Sequence, residues 1–212
     1  MRISTVGVDL AKNILQVHAE TADVQVVFNR ALRRGQVLAF FERLEPCLVG
    51  MEACATSHYW AREIAKHGHE VRLMPPTYVK AYVKRGKSDA GDAAAICEAV
   101  TRPTMRFVAI KTVEQQALLS QHRARQLLIG QRTQLANMIR SLIGEFGCTL
   151  RRGLNHVTCF AMEVREGQWM TLPDCVRPTV ALLCQQFLDL QAQIARLDKM
   201  IFAVSRQDKR VR

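Results

Sequence analysis

Val6-Gly7-Val8-Asp9-Leu10, followed at once by Ala11-Lys12-Asn13, is a short apolar run that delivers one carboxylate and then breaks. An Asp near the end of a strand that reads as buried is costly unless it is paired or holds a cation. Working outward, three more acids stand where they could join it. Glu52 closes a second apolar run, Val49-Gly50-Met51-Glu52, and Asp89 and Asp92 open a helical stretch behind Lys84-Arg85-Gly86-Lys87. Asp89 and Asp92 are three apart and share a helix face. Taken alone they would serve as an N-cap and a first-turn acid. Capping does not account for acids arriving from two strand ends. Clustered without a cation, four carboxylates raise one another's pKa, and hard oxygen donors suit Mg²⁺ or Mn²⁺. The expectation is one divalent-metal site made by Asp9, Glu52, Asp89 and Asp92. Such a site can hold two ions about 4 Å apart and clamp both the attacking and the leaving oxygen of a phosphodiester.

The segments around these acids predict the fold. Residues 3–9 read as a central strand. From Ile14 to Glu20, Leu15, Val17 and Ala19 alternate with Gln16, His18 and Glu20, and Val24, Val26 and Phe28 alternate again. Period-two patterning with short polar breaks gives three successive antiparallel strands. Gln36 to Leu44 turns helical, Cys47 to Met51 is a strand, Ser57 to His67 is a helix stopped by Gly68, and Glu70 to Met74 is a fifth strand. The order β-β-β-α-β-α-β implies a mixed α/β sheet, because the α crossovers return strands parallel. If the first and fourth strands are parallel neighbours, Asp9 and Glu52 emerge at one sheet edge, where open α/β sheets place ligands.

Downstream the chain reads as helical. Asp89 to Thr101 is an Ala-rich helix, and Glu114 to Phe146 is a long one in which Arg125, Arg132 and Arg140 share a flank. Residues 147–177 carry Gly, Asn and Pro breaks. From Pro178 a second long helix places Leu183, Phe187, Leu190, Ile194, Leu197, Ile201 and Val204 at strict four–three spacing, a coiled-coil seam suited to homo-oligomerisation. The expected organisation is a domain over 1–112 carrying the acids and a long basic helix over 113–147 that completes or flanks it. A linker with short elements over 148–177 and a coiled-coil helix over 178–205 follow.

The charge is uneven. The 212 residues carry a net charge of +11, yet residues 1–74 hold 9 Lys and Arg against 8 Asp and Glu, so almost all the excess lies downstream. Such a field favours polyanions and salt-sensitive binding. Lys12, Lys80, Lys84, Arg85, Lys87, Arg125, Arg132 and Arg140 are the candidate nucleic-acid contacts. The seven Cys form no CxxC pair, which reads as reduced thiols rather than a zinc site. No apolar run is long enough to span a bilayer, and the start lacks a signal-peptide pattern, so the expected location is cytoplasmic.

Gly7-Val8-Asp9-Leu10-Ala11-Lys12, Met51-Glu52-Ala53-Cys54 and Tyr82-Val83-Lys84-Arg85-Gly86-Lys87-Ser88-Asp89-Ala90-Gly91-Asp92-Ala93 together resemble the N-terminal domain of the DEDD transposases of bacterial insertion sequences, recombinases guided by a bridge RNA. The likeness covers residues 1–145 closely and the later helices more loosely. It implies a RuvC-like, RNase H-type fold, with Asp9, Glu52, Asp89 and Asp92 as an acidic tetrad coordinating Mg²⁺. It also implies basic segments that contact DNA and a structured guide RNA, and long helices that mediate assembly. Members carry a C-terminal domain that supplies a serine nucleophile. The serines of this sequence do not stand in such a domain, so the resemblance implies a transposase part incomplete for strand exchange. Two alternatives stand beside it. An autonomous RuvC-like nuclease would use the same four acids and a water. An actin-like sugar kinase or ATPase also has a first strand ending in Gly-x-Asp, but needs a second Gly-rich phosphate loop that is not found here.

Overall fold

The computed structural model describes residues 2–83, 89–168 and 172–207, and they divide into two compact units, one up to Thr112 and one from Val113. In the first unit, β1 (Thr5–Leu10), β2 (Ile14–Glu20), β3 (Val26–Arg33), β4 (Leu48–Glu52) and β5 (Glu70–Met74) form one sheet in the order β3-β2-β1-β4-β5. β1 pairs antiparallel with β2 and parallel with β4, and β5 runs parallel to β4. This mixed sheet, three meander strands and then two crossover strands, is the one expected from the chain order, and it has the RNase H-like arrangement that the family resemblance implies. β3 runs on to Arg33, past the expected Phe28, because it pairs with the whole of β2 from Ile14 to Glu20.

Strand alternation gives the sheet two faces. Val6, Val8, Leu15, Val17, Val49 and Met51 point to one core, closed by Val37 and Phe41 of α1 (Val37–Glu42) and Trp60, Ala61 and Ile64 of α2 (Ser57–Ala65). A short helix, α3 (Pro76–Val79), follows β5. The other face receives α4 (Asp89–Val100), whose Ile96, Ala99 and Val100 pack with Met74 and Val79.

α4 lies directly on backbone. Gly7 and Gly50 are register partners in the parallel β1–β4 pair. A Cβ on Gly7 would sit 2.2 Å from the Ala93 carbonyl and 2.5 Å from the Cys97 amide nitrogen, and one on Gly50 would sit 2.7 Å from Val100 Cβ. Glycine is needed at both positions for close approach, not for an unusual φ.

The second unit is helical. The long helix expected over 113–147 is α5 (Val113–Gly144), and its packed partners are α6 (Leu154–Arg165) and α7 (Arg177–Gln207). Inside the stretch read as a linker, α6 contributes Val157, Ala161 and Val164 to a core shared with Ala136, Ile139 and Ile143 of α5 and Val180, Cys184 and Phe187 of α7. The expected seam of α7 is corrected accordingly. Phe187, Leu190 and Ile194 are buried within this chain and Leu183 is half-buried, so the first half of the stripe is already occupied. Leu197 and Ile201 are half-buried, and only Val204 of the seam is exposed. Four–three spacing does not distinguish a partner helix in the same chain from one in a copy.

Two stability tests follow. Gly7→Ala should destabilise the first unit by about 3 kcal/mol or more, at or beyond the upper end of ordinary overpacking, because the atoms it meets are main chain. Thermal or urea unfolding would show it, whereas Gly35→Ala, whose Cβ meets nothing within 4 Å, should be near neutral. Ile194→Asp should unfold the helical unit, at a cost on the order of 3 kcal/mol, and not simply convert an oligomer into a folded monomer. Circular dichroism together with sedimentation separates the two outcomes.

Candidate functional site

The acids meet because two Gly-x-acid triplets run side by side. Gly7-Val8-Asp9 and Gly50-Met51-Glu52 are in register, with Val8 opposite Met51, so Asp9 and Glu52 follow at the same end of neighbouring strands. Asp9 shares the face of Gly7, the residue on which Ala93 rests. Two strand residues advance about 6.6 Å, and the four helical residues from Ala93 back to Asp89 cover about 6 Å. The end of β1 therefore meets the start of α4. Asp9, Asp89 and Asp92 each bring a carboxylate oxygen within 4.8 Å of the others. Glu52 stands next to this triad, outside that spacing but close enough to feel the charges of Asp9 and Asp92.

The electrostatics are unfavourable as they stand. The Asp9 carboxyl is raised above the ordinary range, first by burial and then by Asp92 and Asp89. Glu52 is raised by burial, then by Asp9 and Asp92. Cys54, two residues beyond Glu52, has its thiol raised by burial and by the same two carboxylates, Glu52 and Asp9. Asp89 is exposed while Asp9, Glu52 and Asp92 are half-buried, so the cluster opens to solvent on the helix side. An all-oxygen set of mutually repelling carboxylates, three of them half-buried, suits a hard divalent cation.

Residues 6–147 match the sequence profile of the IS110 DEDD transposases, described as transposase. The chain belongs to that family. A probable family 20 transposase of Pseudomonas aeruginosa is 46% identical over 212 residues, all of this chain and 63% of that protein. The transposase for insertion sequence element IS1328 of Yersinia enterocolitica is 34% identical over 197 residues, 93% of this chain and 58% of that protein. The chain thus spans about three-fifths of the length of these relatives. Among solved structures, Thermus thermophilus RuvC in complex with a Holliday junction substrate overlaps 51% of this chain and 100% of its own, at 13% identity and a TM-score of 0.37. The fold assignment rests on the strand order.

Membership of the DEDD family implies dependence on a divalent metal, and Asp9, Asp89, Asp92 and Glu52 have the donor chemistry for it. Lys12, in the turn after β1, and Lys80, just after α3, are exposed. Lys84, Arg85 and Lys87 lie outside the described residues. In the helical unit the shared arginine flank is partly engaged by the protein itself. Arg125 pairs with Asp198 of α7, and Arg140 donates to the Gly153 carbonyl at 2.7 Å and to Asn137 Oδ1 at 3.3 Å. Arg132 is half-buried, and its enclosed Nε has no hydrogen-bond partner among the described residues. The seven-and-eight spacing of these arginines is explained at least as well by their packing side of α5 as by a polyanion. Among the described residues, no helix is long and apolar enough to cross a membrane.

The upward shifts of Asp9 and Glu52 set a pH dependence. Carboxylates that hold protons more tightly folded than unfolded cost stability when ionised. That cost is full near neutrality and disappears as pH falls through their raised values toward the ordinary carboxylate range. In chelator, Asp9→Asn should therefore melt above the parent at pH 7. The gap should close on acidification, read by thermal melts across pH 4–7. A constant gap would mean that the stabilisation does not come from relieved repulsion.

Proposed function

We propose that this chain is the metal- and nucleic-acid-binding part of an insertion-sequence transposase, with Asp9, Glu52, Asp89 and Asp92 holding Mg²⁺ at the phosphodiester to be broken. The observation that carries this is the convergence of Asp9, from the end of β1, with Asp89 and Asp92, from the start of α4, within 4.8 Å. A divalent cation bound there would supply positive charge to the attacking and leaving oxygens of the phosphodiester. The chain's own contribution is orientation. Parallel pairing of β1 with β4 fixes Asp9 beside Glu52, and seating α4 on Gly7 fixes Asp89 and Asp92 above them. Half-burial of Asp9, Glu52 and Asp92 strengthens their attraction for a cation, while the exposed side at Asp89 would admit a phosphate.

The nucleic-acid partners proposed are DNA and a structured guide RNA. The support is the net charge of +11 and the exposed Lys12, in the turn that follows Asp9, together with the exposed Lys80. Lys84, Arg85 and Lys87, directly before Asp89 in sequence, extend the same basic stretch. Of the three arginines of α5, Arg125 and Arg140 already have partners inside the chain and contribute less to this proposal. Self-association through α7 would have to use its last turns, where Met200, Phe202 and Val204 are exposed. An autonomous RuvC-like nuclease would use the same acids, and no observation favours it over a transposase part.

The metal reading is tested by thermal melts with Mg²⁺ or Mn²⁺. At a hundredfold excess over Kd, binding to the native state alone adds about 2.7 kcal/mol, and Asp9→Asn or Asp92→Asn should remove most of that shift. If both variants respond to metal as the parent does, these acids are not the site. The polyanion reading is tested by titrating duplex DNA and a folded RNA at several salt concentrations. Replacing Lys12 and Lys80 together by Gln should flatten the log–log slope by about two phosphate contacts' worth. An unchanged slope would remove both lysines from the interface.

A further inference from the structure

The first turn of α4 is held by a hydrogen-bond relay from the β3 edge of the sheet. Asn29 of β3 donates from Nδ2 to the Ala90 carbonyl, one residue after Asp89 and two before Asp92, at 2.9 Å. A carbonyl oxygen only accepts, so this contact fixes which end of the Asn29 amide faces α4. The same Nδ2 lies 3.0 Å from His18 Nδ1, which must then be an acceptor. The His18 proton therefore sits on Nε2, where it is donated to Glu20 Oε1 at 2.9 Å. The remaining Asn29 oxygen accepts from Gln16 Nε2 at 2.6 Å. Cys97, whose backbone and Cβ close over Gly7, stands at the end of this relay with its sulfur within 4.8 Å of the Glu20 carboxylate. The directions of the Asn29, His18 and Gln16 bonds all follow from one main-chain oxygen. His18 and Asn29 are register partners, and His18 is also the partner of Gly7, so the relay joins β2 and β3 to the helix on the face where α4 lies.

His18, Glu20 and Cys97 have ligand atoms within 4.8 Å of one another, a spacing a transition metal can use. The hydrogen bonds argue against that use. His18 Nε2 carries a proton where a metal ligand needs a lone pair. Burial also drives the Cys97 thiol far from ionisation. The cluster is a tether.

We infer that Asn29, oriented by His18 and Glu20, is a positioning residue for the acidic site. It clamps the first turn of α4 so that Asp89 and Asp92 are carried to Asp9. The clamp follows from the bonds alone; its consequence for metal rests on the proposed function above.

The test combines amide hydrogen exchange in chelator with Mn²⁺ titration by calorimetry on the full chain. In Asn29→Ala, amides of residues 90–95 should exchange faster than in the parent, with those of β1 and β4 unchanged. Mn²⁺ affinity should fall about tenfold, the size of loss typical when an outer partner of a metal ligand is removed. Asn29→Asp keeps the shape, loses the donor and adds a negative charge that by itself favours a cation. It should nonetheless bind Mn²⁺ more weakly than the parent. Asn29→Gln, which keeps a carboxamide donor, should recover part of the affinity. Parent-like exchange at 90–95 in Asn29→Ala overturns the clamp. Faster exchange with parent-like Mn²⁺ affinity overturns the positioning role and leaves a structural contact. A parent that binds no Mn²⁺, or an Asp9→Asn variant that binds it equally well, overturns the metal reading and the positioning role with it, while the exchange data still decide the clamp. Stabilisation by Zn²⁺ that is lost in His18→Ala but kept in Asp9→Asn would make the buried cluster a metal site and overturn the tautomer assignment.

Discussion

The close seating of α4 on Gly7 and Gly50 is the contact on which the acidic site depends. A helix packed on a sheet through ordinary side chains would ride higher, and acids at its N-terminus would miss the strand ends. Here the Ala93 carbonyl and the Cys97 amide stand where a Cβ on Gly7 would be, and Val100 fills the place above Gly50. The two glycines lie side by side because β1 and β4 are parallel neighbours in register. The same register sets Asp9 beside Glu52. One pairing thus decides both where the helix can descend and which carboxylates it meets.

That arrangement concentrates negative charge where water is partly excluded, and the raised carboxyls of Asp9 and Glu52 record the cost. A fold tolerates such a cluster when other interactions over-determine it. Here they do so from two directions. The apolar contacts of Ile96, Ala99 and Val100 hold the body of α4, and Asn29 holds its first turn by way of Ala90. Repulsion at the site is therefore opposed by packing behind it and by a polar tether beside it. A cation would relieve what both resist.

The helical unit shows the same economy of pattern with a different result. α7 carries a stripe narrow enough for a coiled coil, yet α5 and α6 cover its first half, and Arg125–Asp198 and Thr158–Gln191 tie the helices together. Arginines spaced along α5 are partly absorbed in this packing. The basic surface proposed for nucleic acid accordingly draws more on the exposed lysines of the first unit.

Sequence by itself determined the order of strands and helices along the chain and singled out the four acids, and it offered the parallel neighbourhood of β1 and β4 as a condition that the sheet meets. Period-two alternation and short apolar runs are local, and a crossover connection leaves little freedom in how the next strand returns. Alternation even marked Gln16, His18 and Glu20 as one face of β2, although it read that face only as polar. Tertiary structure alone decided that this face carries a relay to α4, because hydrogen-bond direction depends on which carbonyl comes within reach, and Ala90 lies sixty-one residues from Asn29. It also decided that Asp9, Asp89 and Asp92 form the tight triad with Glu52 set beside it. The depth of a helix over a sheet is fixed by the side chains missing beneath it. And it decided that the α7 stripe is half filled from within, since an apolar spacing states that a partner exists but not which chain supplies it.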